Sequence, residues 1–272
     1  MPESQSESQP KYQFATYEKR DRVAYVTVNR PEVMNAMHWA ASGELARIWD
    51  DFAADDSVWV AILTGAGDRA FSAGNDLKAT NAGTNRPIGD FDRGFGGLTD
   101  RYDLFKPVIA AVNGWAMGGG FELALACDII VASDRAGFGL PEPRVGLYAS
   151  AGGLHRLPRQ VPQKIAMGMI LTGKPIDAAE AYRIGLVNEV VPHEDLGAAA
   201  DEWAQQILLG APIAVRGSKE GAMRGLDRTM REVFRGEERG EYAWLNRQES
   251  SVDRIEGPRA FSEKRAPKWL GR

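Results

Sequence analysis

Residues 113–127 read NGWAMGGGFELALAC, and the fold turns on how they are read. Three consecutive glycines, Gly118, Gly119 and Gly120, precede a lone acid, Glu122, and then a run of Leu and Ala. A carboxylate entering an apolar helix costs several kcal/mol unless it is paired, protonated or used. A helix starting at Gly119 or Gly120 and running through Ala126 puts Glu122 on one face with Leu125 and Ala126. A solvent-facing Glu122 would therefore expose both of them. Glycine permits close approach and unusual backbone angles, and the amino end of such a helix offers unpaired N–H groups and the positive end of its dipole.

Working outward, strand-like runs precede and follow this segment: RVAYVTVN (22–29), VWVAILTG (58–65), PVIAAVNG (107–114) and DIIVASD (128–134). They are short, rich in Val and Ile, and end in turn residues. Between the first two, Leu45, Ile48, Trp49 and Phe52 recur at helical spacing, so the segment is a β–α unit. Residues 79–100 are rich in Gly, Asn and Asp without any period, a long loop of the kind that is usually functional or mobile. From about residue 160 onward the pattern is helical, with Gly185 placed as a helix C-cap. The division expected is a polar, disordered leader at 1–13, an αβ core over 14–200 and a helical part over 201–272.

A chain of 272 residues with 44% hydrophobic residues can bury a sizeable core. The net charge of −4 supplies no overall basic field for nucleic acid. No apolar run approaches the ~20 residues that span a bilayer, and the leader lacks the basic-then-apolar order of a signal peptide. One cysteine, Cys127, excludes an internal disulfide, and the three dispersed histidines, His38, His155 and His193, give little support for a metal. The expected setting is a reducing cytoplasm.

Two glycine-bearing turns follow two strands: TGAGDRAFSAGNDLK (64–78) and NGWAMGGGFELALA (113–126). Both could aim backbone N–H groups at one point and so hold an oxyanion formed from a carbonyl. A phosphate cradle is the rival, but neither GxxxxGK[ST] nor GxGxxG is present. A second acid, Glu142, lies between two prolines in FGLPEPRVGLYASAGG (138–153), an irregular stretch in which an exposed charge is the plainer reading.

These segments together resemble the crotonase, or enoyl-CoA hydratase/isomerase, superfamily. The matching pieces are NRPEVMNAM (29–37), FSAGNDLK (71–78), KPVIAAVNGWAMGGGFELALACD (106–128), FGLPEPRVGLYASAGG (138–153), LTGKPIDAAEAYRIGLVNEVV (171–191) and EGPRAFSEKRAPKW (256–269), in the family's order. The carnitinyl-CoA dehydratase branch looks similar through FGGLTDRYDLFKPVIAAVNG and EKRAPKWLGR. The resemblance implies a crotonase fold, an α/β spiral core of repeated ββα units with a helical C-terminal part. It implies a hydratase adding water to, or removing it from, an acyl-CoA thioester, without a separate cofactor. A specialised dehydratase or an enoyl-CoA isomerase is the alternative, and an RNA-binding relative is a more remote one.

Position by position, the resemblance assigns the backbone N–H groups of Asn75 and Gly119 to an oxyanion hole, and Glu122 and Glu142 to acid–base chemistry. It places CoA along 71–78 near Ala73 and Asp76, with Lys264 and Phe261 in the tail supplied by a neighbouring subunit, and with Lys78 and Arg30 as weaker candidates. Tyr148, Gly118 and Gly152 line the acyl pocket, and the 79–100 loop covers the acyl chain, its Phe91 and Phe95 lining that pocket too. Arg144 stands two residues after Glu142, as an ion-pair partner or as a modulator of that acid. The loop GLYASAGG departs from the family's pattern at Ala149 and Ser150, which bears on substrate identity. Family members are trimers or pairs of trimers, so a homotrimer or hexamer is expected.

Overall fold

The computed structural model describes residues 12–84 and 93–272. Strands β1 (Ala15–Arg20) and β2 (Val23–Val28) form a hairpin whose two turn residues, Asp21 and Arg22, both have positive φ. Such a tight turn matches the right-handed twist of the paired strands. The chain then enters α1 (Trp39–Ala54), capped by the His38 ring accepting from Ala41 N at 3.1 Å. Leu45, Ile48, Trp49 and Phe52 form the buried stripe expected from their spacing.

From here the chain climbs a repeating path. Strand β3 (Val60–Gly65) is followed by the short β4 (Ala70–Ser72) and α2 (Leu77–Asn81). Strand β5 (Val108–Val112) is followed by β6 (Trp115–Met117) and α3 (Gly119–Ala126). Strand β7 (Ile129–Ser133) is followed by β8 (Gly137–Gly139), a 3-10 turn at Glu142–Val145 and α4 (Gly153–Gln160). The first strand of each pass joins a large sheet and the second joins a small one, which is the ββα spiral.

Next come α5 (Gln163–Thr172), β9 (Ile176–Asp177), α6 (Ala178–Arg183) and β10 (Glu189–Val191). The large sheet has the order β1-β2-β3-β5-β7-β10 and the small one β4-β6-β8-β9. From β2 to β10 the large sheet is parallel, so both faces need covering. One face packs against α1 and α3, the other against α7 (Leu196–Leu208) through Ala200 and Ala204. Gly185 follows α6 with φ of +76°, in the cap position expected.

The C-terminal helices are α8 (Pro212–Gly225), α9 (Met230–Glu238), α10 (Ala243–Glu249) and α11 (Asp253–Ser262). Two buried carboxylates fix their path. Glu220 accepts from Ala243 N and Trp244 N at 3.1 and 2.6 Å. Asp253 accepts from Leu270 N and Gly271 N at 2.8 and 2.9 Å. The C-terminal tail is therefore folded back against the start of α11. Among the described residues no helix is long and apolar enough to cross a membrane.

The site depends on how closely α3 sits on the small sheet. A Cβ on Gly120 would lie 2.1 Å from the Ser72 carbonyl oxygen, so the helix backbone rests directly on the end of β4. Gly120→Ala is expected to lower stability by about 3 kcal/mol, at the upper end of overpacking costs, measured as a shift of the urea midpoint at unchanged m-value.

Candidate active site

A cleft of about 1360 Å³ opens between α3, the 142–152 segment and the turn after β4. One wall is braced from behind by a buried asparagine of NRPEVMNAM. Asn35 is fully buried, and its side-chain amide donates to the Ala66 and Ala70 carbonyls at 2.9 and 2.7 Å. Ser72 Oγ donates to Asn35 O at 2.8 Å and accepts from Gly74 N at 3.1 Å. The turn is thus tied down from both sides. Gly74 has φ of +85°, and a Cβ there would lie 2.6 Å from Met117 O and 2.8 Å from Gly119 N. Only glycine lets this turn lie over the first amide of α3.

Asn75 follows, paired with Met37 in a parallel bridge. Met37 N donates to Gly74 O at 2.8 Å and Asp76 N to Met37 O at 3.0 Å. In an extended chain successive peptide groups alternate in direction, so the Asn75 N–H points away from Met37. Gly119 is the first residue of α3, so its N–H has no acceptor within the helix and sits at the positive end of the dipole. The Phe95 ring lies over Gly119, 2.8 Å from where a Cβ would be.

Glu122 stands one turn further along α3 and is 3% exposed. Its Oε1 accepts from Gly153 N, at the start of α4, at 2.8 Å. Burial is the main force pushing its carboxyl up to about 7; the nearby Glu142 adds to the rise, while the Gly153 and Ala151 amides and Arg156 oppose it. Glu142 is half-buried at the start of its 3-10 turn, and burial raises its carboxyl too. Its Oε2 is buried without a hydrogen-bond partner among the described residues. Its Oε1 lies 2.9 Å from where a Cβ on Gly118 would be, so both acids flank the amino end of α3. Two such groups in one cleft titrate as a pair.

Ala73, Asn75, Gly118, Gly119, Glu122, Glu142, Tyr148 and Gly152 all line the cleft. Asp76 does not: its carboxylate caps α2 through Ala79 N and pairs with Arg30 at 3.1 Å, which also commits Arg30 to structure. Lys264 and Phe261 lie at the end of α11, outside the cleft lining of this chain, with Phe261 87% exposed. Arg144 is not an ion-pair partner of Glu142; its Nε donates to Thr172 O at 2.9 Å and anchors the turn to the end of α5. Tyr148 is 68% exposed at the rim, Phe95 is inside, and Phe91 falls outside the described residues. Sequence reading missed His155 and Arg156, whose helical segment carries no sign of which side faces the acids. It also missed Asn35, whose signal was a polar side chain between Met34 and Ala36.

Fold and cleft define a class, the crotonase-fold proteins. The chain belongs to the enoyl-CoA hydratase/isomerase family, whose model matches residues 18–272. It is 44% identical over 254 residues to the carnitinyl-CoA dehydratase of Proteus mirabilis, covering 93% of this chain and 97% of that protein. Among solved structures, enoyl-CoA hydratase from Mycobacterium tuberculosis H37Rv superposes with a TM-score of 0.88 at 40% identity, over 95% of this chain and 99% of the other. Carnitinyl-CoA hydratase from Mycobacterium avium superposes with 0.76 at 41% identity, over 96% and 100%.

The raised Glu122 carboxyl has a consequence for stability. Between the unfolded value, about 4.3, and about 7, the folded chain keeps a proton that the unfolded chain has lost. Stability contributed by the protonated acid is full below the lower value and lost as pH rises through the upper one. Glu122→Gln, which keeps an acceptor for Gly153 N, is expected to raise stability at pH 8 by on the order of 1–3 kcal/mol and to change it little at pH 4.5, measured by denaturant unfolding at both values.

Proposed function

We propose that this chain is a hydro-lyase acting on an acyl-CoA, interconverting a 2-enoyl-CoA and a 3-hydroxyacyl-CoA. One observation carries the reading: two carboxylates, one buried and one half-buried with an orphaned oxygen, flank a helix-terminal amide in a single cleft. In this reading the thioester oxygen accepts from Gly119 N and Asn75 N. As water adds to the β-carbon, charge moves onto that oxygen, and oriented amides stabilise the enolate where it forms.

One carboxylate takes a proton from the attacking water and the other delivers a proton to the α-carbon. Dehydration is the same path reversed. A carboxyl near neutrality can both give and take a proton at working pH, which suits Glu122.

CoA would lie along the turn at Ala73. Lys264 and Phe261 would act on the cleft of a neighbouring copy, in a homotrimer or hexamer, because they do not line their own. A reducing cytoplasm is the proposed setting, consistent with the single buried Cys127. A dehydratase acting on a carnitinyl thioester is the second reading, favoured by the name of the Proteus mirabilis relative. Both use the same acids and differ in the acyl end of the cleft.

The deciding assay follows loss of enone absorbance with crotonyl-CoA, with carnitinyl-CoA run in parallel. Absence of turnover with every enoyl-CoA from four to sixteen carbons would exclude a simple hydratase. Glu122→Gln and Glu142→Gln are each expected to lower kcat by at least about 10²-fold with little change in acyl-CoA affinity. Intact activity in Glu122→Gln, with activity abolished in Glu142→Gln, would overturn the two-acid mechanism and favour isomerase-like chemistry carried by Glu142 alone.

A further inference from the structure

Helix α4 begins at the glycine pair of GLYASAGG, and its first turn carries an arginine that the mechanism above does not use. Gly152 O already accepts from His155 N and Arg156 N, at 3.0 and 2.8 Å. The Gly153 amide is left for Glu122. Arg156 folds back over this same turn: its Nη1 lies 2.1 Å from where a Cβ on Gly152 would be. Glu122 Oε1 lies 3.0 Å from where a Cβ on Gly153 would be. Acid and guanidinium therefore sit over consecutive residues, and both line the cleft. Among the described residues the guanidinium makes no hydrogen bond or ion pair.

The other charged groups around α3 have different work. From α4, Arg159 donates to His155 O, and the His155 ring lines the outer cleft. From the turn before β5, Arg101 is paired with Asp50 and Asp103, and Asp100 is exposed. From the 142–145 turn comes Glu142, and β4 and β6 bring no titratable side chain. Among the described residues, Arg156 is the cation beside the acid that has no hydrogen bond or ion pair of its own.

We infer that Arg156 is a positioning residue that acts through Glu122, holding its carboxylate in the ionised form against the amino end of α4. Its charge opposes the upward push of burial and of Glu142, as an opposite charge at short range does. The cation thereby favours a proton-accepting Glu122 beside Glu142, whose carboxyl burial pushes towards the neutral form. The inference rests on the reading of Glu122 as a reacting acid.

The test is the pH profile of kcat and KM for crotonyl-CoA in wild type, Arg156→Gln and Arg156→Lys, with Glu122→Gln alongside. Loss of the cation raises both apparent values of the pair. In Arg156→Gln both limbs are expected to move up by about one pH unit, with kcat falling about 10-fold on the acid side and recovering at higher pH. KM should stay within about twofold, and Arg156→Lys should keep the wild-type limbs. A lower kcat with unmoved limbs would make Arg156 merely structural and overturn the inference. A raised KM with unmoved limbs would make it a grip on a substrate anion and overturn it equally. If Arg156→Gln does not fold, Arg156→Lys decides: displaced limbs there contradict a role carried by charge. Full activity in Glu122→Gln removes the reading of the site itself, whereas an inactive Glu122→Gln with an unmoved Arg156→Gln profile removes only the role of Arg156.

Discussion

The contact on which everything else rests is the backbone-to-backbone approach of α3 to the end of β4. Gly120 meets the Ser72 carbonyl, and Gly74 meets the Gly119 amide, at distances that no side chain would tolerate. Because of that approach, the turn bearing Asn75 and the amino end of α3 share one point. The large sheet behind them holds the approach rigid: β3, β5 and β7 are buried on both faces and run in register. Asn35 and Ser72 then fasten the turn with side-chain hydrogen bonds that span more than thirty residues of chain.

On that frame the two acids divide an electrostatic load. Burial drives both towards the neutral form. Glu122 is partly compensated by the amides at the start of α4 and by Arg156, while Glu142 keeps an oxygen with no partner among the described residues. A group left unsatisfied in a native interior costs free energy that the rest of the fold must offset. Such a cost is sensible where a substrate or a water is to complete the set. The strongly twisted positions around the site, Gly118 and Gly152, are what the chain accepts in order to bring acids from two passes of the spiral to one helix end.

Much of the architecture was legible in the residues. The runs at 22–29, 58–65, 107–114 and 128–134 are strands β2, β3, β5 and β7, and the stripe Leu45, Ile48, Trp49, Phe52 is the buried face of α1. The short strands β4, β6 and β8 were not legible, because three residues carry no period and are held by their partners across the small sheet. The composition of 79–100 points to a loop without period, yet its start belongs to α2 and Trp49 Nε1 donates to Gly96 O at 2.9 Å. At the site, Glu122 and Gly119 stood out by composition, Glu142 only by resemblance. Arg144 was placed beside the acid by its position in the chain, but the 3-10 turn swings it to Thr172.

By itself the sequence determined the long strands β2, β3, β5 and β7 and the helix α1, that an acid must enter an apolar helix behind three glycines, and which family the chain belongs to. These follow from local periodicity and from residue types whose burial has only a few solutions. Only the tertiary structure decided that Glu122 meets Gly153, that Glu142 faces Gly118, and that Arg156 rather than Arg144 is the cation beside the acids. Those pairings join residues twenty to thirty-odd positions apart, and what sets them is the closeness with which α3 lies on β4. Distance across a packed interface is a property of the fold, because it depends on atoms that the local sequence does not contain.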